Sequence, residues 1–200
     1  AALQLAGAKR CVIKIILTRG IGGRGYAPTN GTFSTIVSMH HAPEILKSPV
    51  KVRWCQTTIS QQPLLAGMKH LNRLENVLAR SEWQPENYFE GLMCDLSGNV
   101  ICATSANVFI NLNNRWLTPD LTNSGINGVA RNWFLENVEN IGVEHISRHD
   151  VENADSVFLC NSVRGMMEVS HIEHVTFTKN AMFNELNQRF LNHNPAFSTE

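Results

Sequence analysis

The sequence predicts an α+β fold with a largely mixed sheet. Three observations lead there. Short β-branched, apolar runs recur along most of the chain; three stretches carry apolar residues at helical spacing; and the two kinds follow one another without the strict βαβ regularity of a parallel sheet.

The elements read in order as follows. Cys11 to Leu17 (Cys-Val-Ile-Lys-Ile-Ile-Leu) is β-branched and apolar and predicts a buried strand. Arg19 to Gly25 is a glycine-rich loop. Thr32 to Met39 and Val50 to Thr57 predict further strands, with Pro43 and Pro49 punctuating the link between them. Ser60 to Gly67 reads as a connector. Lys69 to Arg80 predicts a long helix with Leu71, Leu74, Val77 and Leu78 on its apolar face. Leu92 to Asp95, Ser97-Gly98-Asn99 and Val100 to Ala103 form a hairpin pattern. Val108 to Leu112 and Trp116-Leu117 continue the sheet through an Asn113-Asn114 turn. A second helix is expected over Gly128 to Asn140, with Val129, Trp133, Leu135 and Val138 as anchors, Asn127 as its N-cap and Gly142 at its C-terminal stop. Val143 to Ile146 and Ser156 to Leu159 are short strands, and Asn180 to Leu191 is a final amphipathic helix. The weak composition shift at Ser60 to Gly67 divides the chain into 1–62 and 63–200.

Bulk properties restrict the function classes. Lysine plus arginine equals aspartate plus glutamate, 17 of each, so there is no basic excess for nucleic acid. No run of about 18 apolar residues suggests a membrane span, and Ala1 to Ala8 does not read as a signal peptide. The five cysteines are dispersed with no C-x-x-C, the pattern of reduced thiols in a cytoplasmic protein, and the eight histidines show no zinc-finger spacing.

Four segments could carry chemistry. Lys69, in Ala66-Gly67-Met68-Lys69-His70-Leu71-Asn72-Arg73-Leu74-Glu75, stands after a Pro63/Gly67 breaker region. It reads either as a solvated lysine at a helix start or as an amine able to form a Schiff base with a carbonyl cofactor. Asn123 to Arg131 is a polar, glycine-bearing approach to a helix N-terminus: a simple capped start, or an anion site. Leu159-Cys160-Asn161-Ser162 is a strand end whose polar pair can close a turn or donate to a ligand. Thr18 to Tyr26 is a glycine loop bearing Arg19 and Arg24. It lacks the Gly-Lys-Ser/Thr of a P-loop, and Arg24 stands where a dinucleotide fingerprint needs its third glycine. It is a surface loop or an approach to a carboxylate.

These segments, in their order along the chain, resemble the fold-type IV pyridoxal-phosphate (PLP) enzymes, and within them the aminodeoxychorismate lyases. The resemblance runs from about Val12 to Val169. It implies that Lys69 bonds to pyridoxal 5'-phosphate and exchanges protons with substrate. It also implies that backbone groups of the Gly128 turn, at Val129 and Ala130, hold the phosphate together with Asn161, and that Arg24 and Tyr26 face substrate carboxylates. Gly98 to Phe109 is similar to the family segment G-x-V-x-E-x-x-x-x-N-[LVI]-F, which carries Asn107 in register. The glutamate that pairs with the pyridine nitrogen is replaced by Cys102. The resemblance further implies a homodimer, the conversion of 4-amino-4-deoxychorismate to 4-aminobenzoate and pyruvate for folate synthesis, and an aminotransferase or a catalytically impaired relative as alternatives. The family's front portion, with a phosphate-gripping arginine, has no counterpart here, so a chain shortened at its N-terminal side is expected.

Overall fold

The computed structural model describes residues 10–28, 31–46, 48–178 and 180–198. The chain forms two compact units, Ala1–Glu44 and Ile45–Glu200. The division expected at 62/63 therefore falls inside the larger unit. The reason is strand pairing: Val50–Trp54, assigned to the first domain by the composition shift, is hydrogen-bonded on both sides by strands of the later chain.

In the smaller unit, β1 (Cys11–Thr18) and β2 (Ser34–His41) pair antiparallel from Cys11↔His41 to Thr18↔Ser34. β1 is not the buried strand its composition predicts. Ile15 and Leu17 are each 66% exposed, because a two-stranded ribbon has no second layer to cover its faces.

The larger unit is built on a mixed sheet. Its strands are β3 (Val50–Trp54), β4 (Glu90–Cys94), β5 (Val100–Ala103), β6 (Asn107–Leu112), β7 (Arg115–Pro119), β8 (Gly142–Glu144), β9 (Ser156–Asn161), β10 (Gly165–Ile172) and β11 (Val175–Thr176). The order is β5-β4-β3-β10-β9-β6-β7-β8, with β11 paired to β10. β3 runs parallel to both β4 and β10, and β7 parallel to β8; β4/β5, β6/β7, β6/β9 and β9/β10 are antiparallel. The fold is thus the expected α+β, mixed-sheet class.

β10 escaped the sequence reading although it joins the two halves of the sheet. Its signal is a period of two, with Gly165, Met167 and Val169 buried in alternation. Glu168, Ser170 and His171 interrupt it at the level of composition.

The β4–β5 hairpin turns through Gly98 at φ +86°. The buried Asp95 carboxylate organises that turn, accepting from the N–H groups of Ser97 and Asn99, each at 2.9 Å, and from Gln61 Nε2 at 2.8 Å. Burial alone would raise the Asp95 carboxyl, but these hydrogen bonds outweigh it and hold the group below its ordinary value.

The described residues also include four α-helices: α1 (Leu74–Arg80), α2 (Val129–Asn137), α3 (Arg148–Glu152) and α4 (Ala181–His193). None among the described residues is long and apolar enough to cross a membrane. α3 opens on a capping box, Ser147 with Asp150.

α1 differs from its expectation twice. It begins at Leu74, so Lys69 to Arg73 are not helical. Its expected core face is exposed as well: Leu71, Leu74, Val77 and Leu78 are 53–69% accessible, and Ala79 is the buried residue of the helix. α2 stops at Asn137, where Val138 turns extended; Gly142 opens β8 rather than ending a helix. Val129 is 78% exposed, and Phe134 takes the anchoring place. The Phe134 ring lies 5.4 Å from Phe109, 5.3 Å from Phe158 and 5.2 Å from Phe190, which ties α2 and α4 to one face of the sheet.

Candidate active site

A cavity of about 340 Å³ opens beside α2, within the larger unit. Lys69, Cys102, Asn107, Gly128, Val129, Ala130 and Asn161 all line it, so sequence positions almost a hundred residues apart meet at one place. The volume falls in the range of small-molecule sites.

The backbone explains how Lys69 is delivered. Gly67, at φ +78°, forms an isolated parallel bridge with Ile126. Its N–H donates to the Gly125 carbonyl at 3.1 Å, and its carbonyl accepts from the Asn127 N–H at 3.0 Å. One turn earlier the Gln62 N–H donates to the Asn123 carbonyl at 2.8 Å. The lysine segment is therefore stitched to the loop that precedes α2. A segment committed to that bridge cannot also begin a helix, which is why α1 starts five residues after Lys69.

The other wall is the N-terminus of α2. Its N-cap is Gly128, not Asn127, and no side chain caps the first turn. The leading N–H groups of a helix have no intrahelical acceptor. Left uncapped at Gly128, Val129 and Ala130 against a cavity, they form a seat for an anion such as a phosphate.

Asn107 holds this seat in shape: its Nδ2 donates to the Ile126 carbonyl at 2.8 Å. A Cβ on residue 128 would collide with Asn107 Oδ1, so a larger residue there would have to push the Asn107 side chain off its bond to the Ile126 carbonyl.

Arg131 was missed as a positioning residue. It is 5% exposed, and its guanidinium donates to Thr118 Oγ1 at 3.2 Å, to the Pro119 carbonyl at 2.9 Å and to Asn127 Oδ1 at 2.8 Å. The last bond takes the Asn127 side chain away from capping. The signal available in the sequence was the i,i+4 relation of Asn127 to Arg131 on a helix entry.

The remaining expected residues fall in two groups. Asn161 ends β9 and lines the cavity, but its side chain is engaged in a turn. Its Oδ1 accepts from the N–H groups of Val163 (3.0 Å) and Arg164 (2.8 Å), and its Nδ2 donates to the Ser105 carbonyl at 3.2 Å. Arg24 and Tyr26 belong to the smaller unit, on a bend, and both are exposed. The cavity itself is built from the larger unit.

Cys102 is 6% exposed, on β5. Burial, with the nearby Glu90 charge adding to it and Arg73 opposing it, pushes its thiol up to about 12. It is a neutral group at physiological pH.

Taken together, an amine, an uncapped helix start and a glycine cradle fit a phosphate-bearing aldehyde. Gly128→Ala is expected to weaken PLP binding roughly tenfold, since overpacking costs about 1–3 kcal/mol. An absorbance titration checks this. Adding Asn107→Ala to it should cost less than the sum of the two single changes, because the clash is removed with the carboxamide.

A fold and site of this kind define the Amino-transferase class IV family. A sequence model of that family matches residues 1–172, and the chain belongs to it. Among curated relatives it is similar to the "Aminodeoxychorismate lyase" of Vibrio harveyi, at 37% identity over 169 residues. That match takes in 80% of this chain and 62% of the relative, so the chain spans about three-fifths of that relative's length. Among solved structures it resembles 4-amino-4-deoxychorismate lyase from Pseudomonas aeruginosa, with a TM-score of 0.88 and 35% identity over 92% of this chain and 72% of that one. The fold is also that of a branched-chain amino acid aminotransferase from Thermobaculum terrenum, solved in its PLP form (TM-score 0.79, 17% identity, 95% and 65% covered).

Proposed function

We propose that the protein is a PLP-dependent lyase of the aminodeoxychorismate lyase type, releasing pyruvate from 4-amino-4-deoxychorismate to leave 4-aminobenzoate. The observation that carries the reading is the cavity that brings Lys69 against the uncapped start of α2. The likeness to the Vibrio and Pseudomonas lyases supports it. The activity belongs to folate biosynthesis, a cytoplasmic pathway, and the working form is a homodimer.

When bound, PLP supplies an electron-accepting ring conjugated to the substrate's amine. The chain's own residues do the rest. Gly128, Val129 and Ala130 offer backbone N–H groups to the phosphate. Asn107 and Arg131 keep that turn rigid. Lys69 Nζ would bond to the cofactor's aldehyde carbon, and as a free amine it would move a proton from the substrate's ring carbon beside the nitrogen to the departing enolpyruvate. Arg24, with Tyr26 beside it in sequence, would bind a substrate carboxylate through its two-point guanidinium fork.

Amino-group exchange is the second reading, favoured by the family description and by the fold shared with a branched-chain aminotransferase. Cys102 motivates a third, a relative that binds PLP without turnover. Assays of 4-aminobenzoate release and of keto-acid exchange, run on the same preparation, separate them. Release of 4-aminobenzoate without exchange supports the lyase. Exchange alone moves the protein to the aminotransferases. A PLP-loaded protein inactive in both assays is the impaired relative.

A further inference from the structure

Among the described residues, no carboxylate lines the cavity that holds Lys69. Its charged lining groups are two cations, Lys69 and Arg73. Arg73 Nε is buried with no hydrogen-bond partner, and a guanidinium does not surrender its proton.

The nearest carboxylates are occupied elsewhere. Glu75 lines the adjoining cavity, which shares Ile59, Arg73 and Gly125 with this one, and accepts from the Ser60 N–H at 3.1 Å and from the Ser60 hydroxyl. Glu90 is buried, and both of its oxygens are engaged. It accepts from the N–H groups of Gly91 (3.0 Å) and Ser105 (3.2 Å) and from the hydroxyls of Thr104 and Ser105. The phosphate of a bound cofactor is an anion, offset in part by the roughly half positive charge at the α2 N-terminus.

Among the described residues that line this cavity, a basic ring nitrogen therefore meets no carboxylate, and the nearby Glu75 and Glu90 are held by the hydrogen bonds above. The Cys102 thiol, raised mainly by its own burial, stays neutral and cannot hold a proton on the nitrogen by charge.

We propose that this cavity holds the ring nitrogen of PLP unprotonated, and that Cys102 is the residue that sets this state. The inference rests on the PLP reading above and deepens it. An unprotonated ring withdraws electrons weakly, so the site suits substrates whose reaction supplies its own driving force. An elimination that creates an aromatic ring does so; amino-group exchange between ordinary amino and keto acids does not.

The test is nitrogen NMR of the protein loaded with PLP carrying ¹⁵N in the ring, recorded at neutral pH. The expected result is a pyridine-type resonance in the wild type. Cys102→Ser should leave it in place, and Cys102→Glu should move it to the pyridinium position. Cys102→Asp serves if the longer side chain disturbs folding at this buried position. A pyridinium resonance in the wild type overturns the inference while leaving the PLP reading intact. A carboxylate variant that binds PLP but keeps the pyridine signal overturns the role of Cys102. Failure of the wild type to bind PLP, seen as no visible band, overturns both readings together.

Discussion

Alanine in place of Lys69 is expected to abolish the borohydride-trapped pyridoxyl adduct and to lower turnover by about 10²–10⁴-fold or more. Two roles are lost at once. In the proposed function the amine would bond to the cofactor's aldehyde, and the same nitrogen would exchange protons with the substrate. Peptide mass mapping of the reduced protein places the adduct on Lys69 in the wild type and finds none in the variant. Lys69→Arg should fail equally, because a guanidinium keeps its proton and does not attack the carbonyl. Lys51→Ala, at an exposed position of β3, should change neither readout. PLP should still bind to Lys69→Ala non-covalently, since the seat at Gly128, Val129 and Ala130 is untouched. An adduct that persists in Lys69→Ala would show that another lysine carries the cofactor, and the proposed site would fall.

The second large effect concerns stability. Phe134→Ala is expected to cost about 3–5 kcal/mol, from lost burial and the cavity left behind. Phe134 is fully buried and packs against Phe109, Phe158 and Phe190, so neither the sheet nor α4 can collapse easily into the space. Denaturant unfolding measures it as a lower midpoint at unchanged slope. Leu78→Ala on α1 should fall within about 0.5 kcal/mol, since that side chain is 53% exposed. Equal costs at the two positions would mean that Leu78 is covered in solution, and the exposed face of α1 would have to be redrawn as an interface.

That contrast shows what could be read before folding. Both helices carry apolar residues at helical spacing, and periodicity treats them alike. It names a face without saying whether anything lies against it. For α2 the partner is an aromatic layer on the sheet. For α1, Ala79 makes the buried contact, and the leucines look outward. The site shows the same division. Lys69, the Gly128 turn and the Cys102 exchange were legible as motifs, because each is a local string of residue types. Arg131 was not, because its role comes from Thr118 and Pro119 on a neighbouring strand as well as from Asn127. Asn161 stayed ambiguous until its two backbone donors, Val163 and Arg164, located it in a turn.

The sequence by itself determined the α+β class, most strand positions, the candidate lysine at position 69 and the absence of a carboxylate at position 102. These depend on local preference and residue identity, which neighbours in the chain carry. Only the tertiary structure decided the unit boundary, the central place of β10 and the late start of α1. It also decided that Lys69 meets the α2 N-terminus. Each of these turns on hydrogen bonds between residues far apart in sequence, Val50–Trp54 with β10 and Gly67 with Gly125 and Asn127. The loss of chain entropy on closing such contacts is offset by burial across the whole sheet.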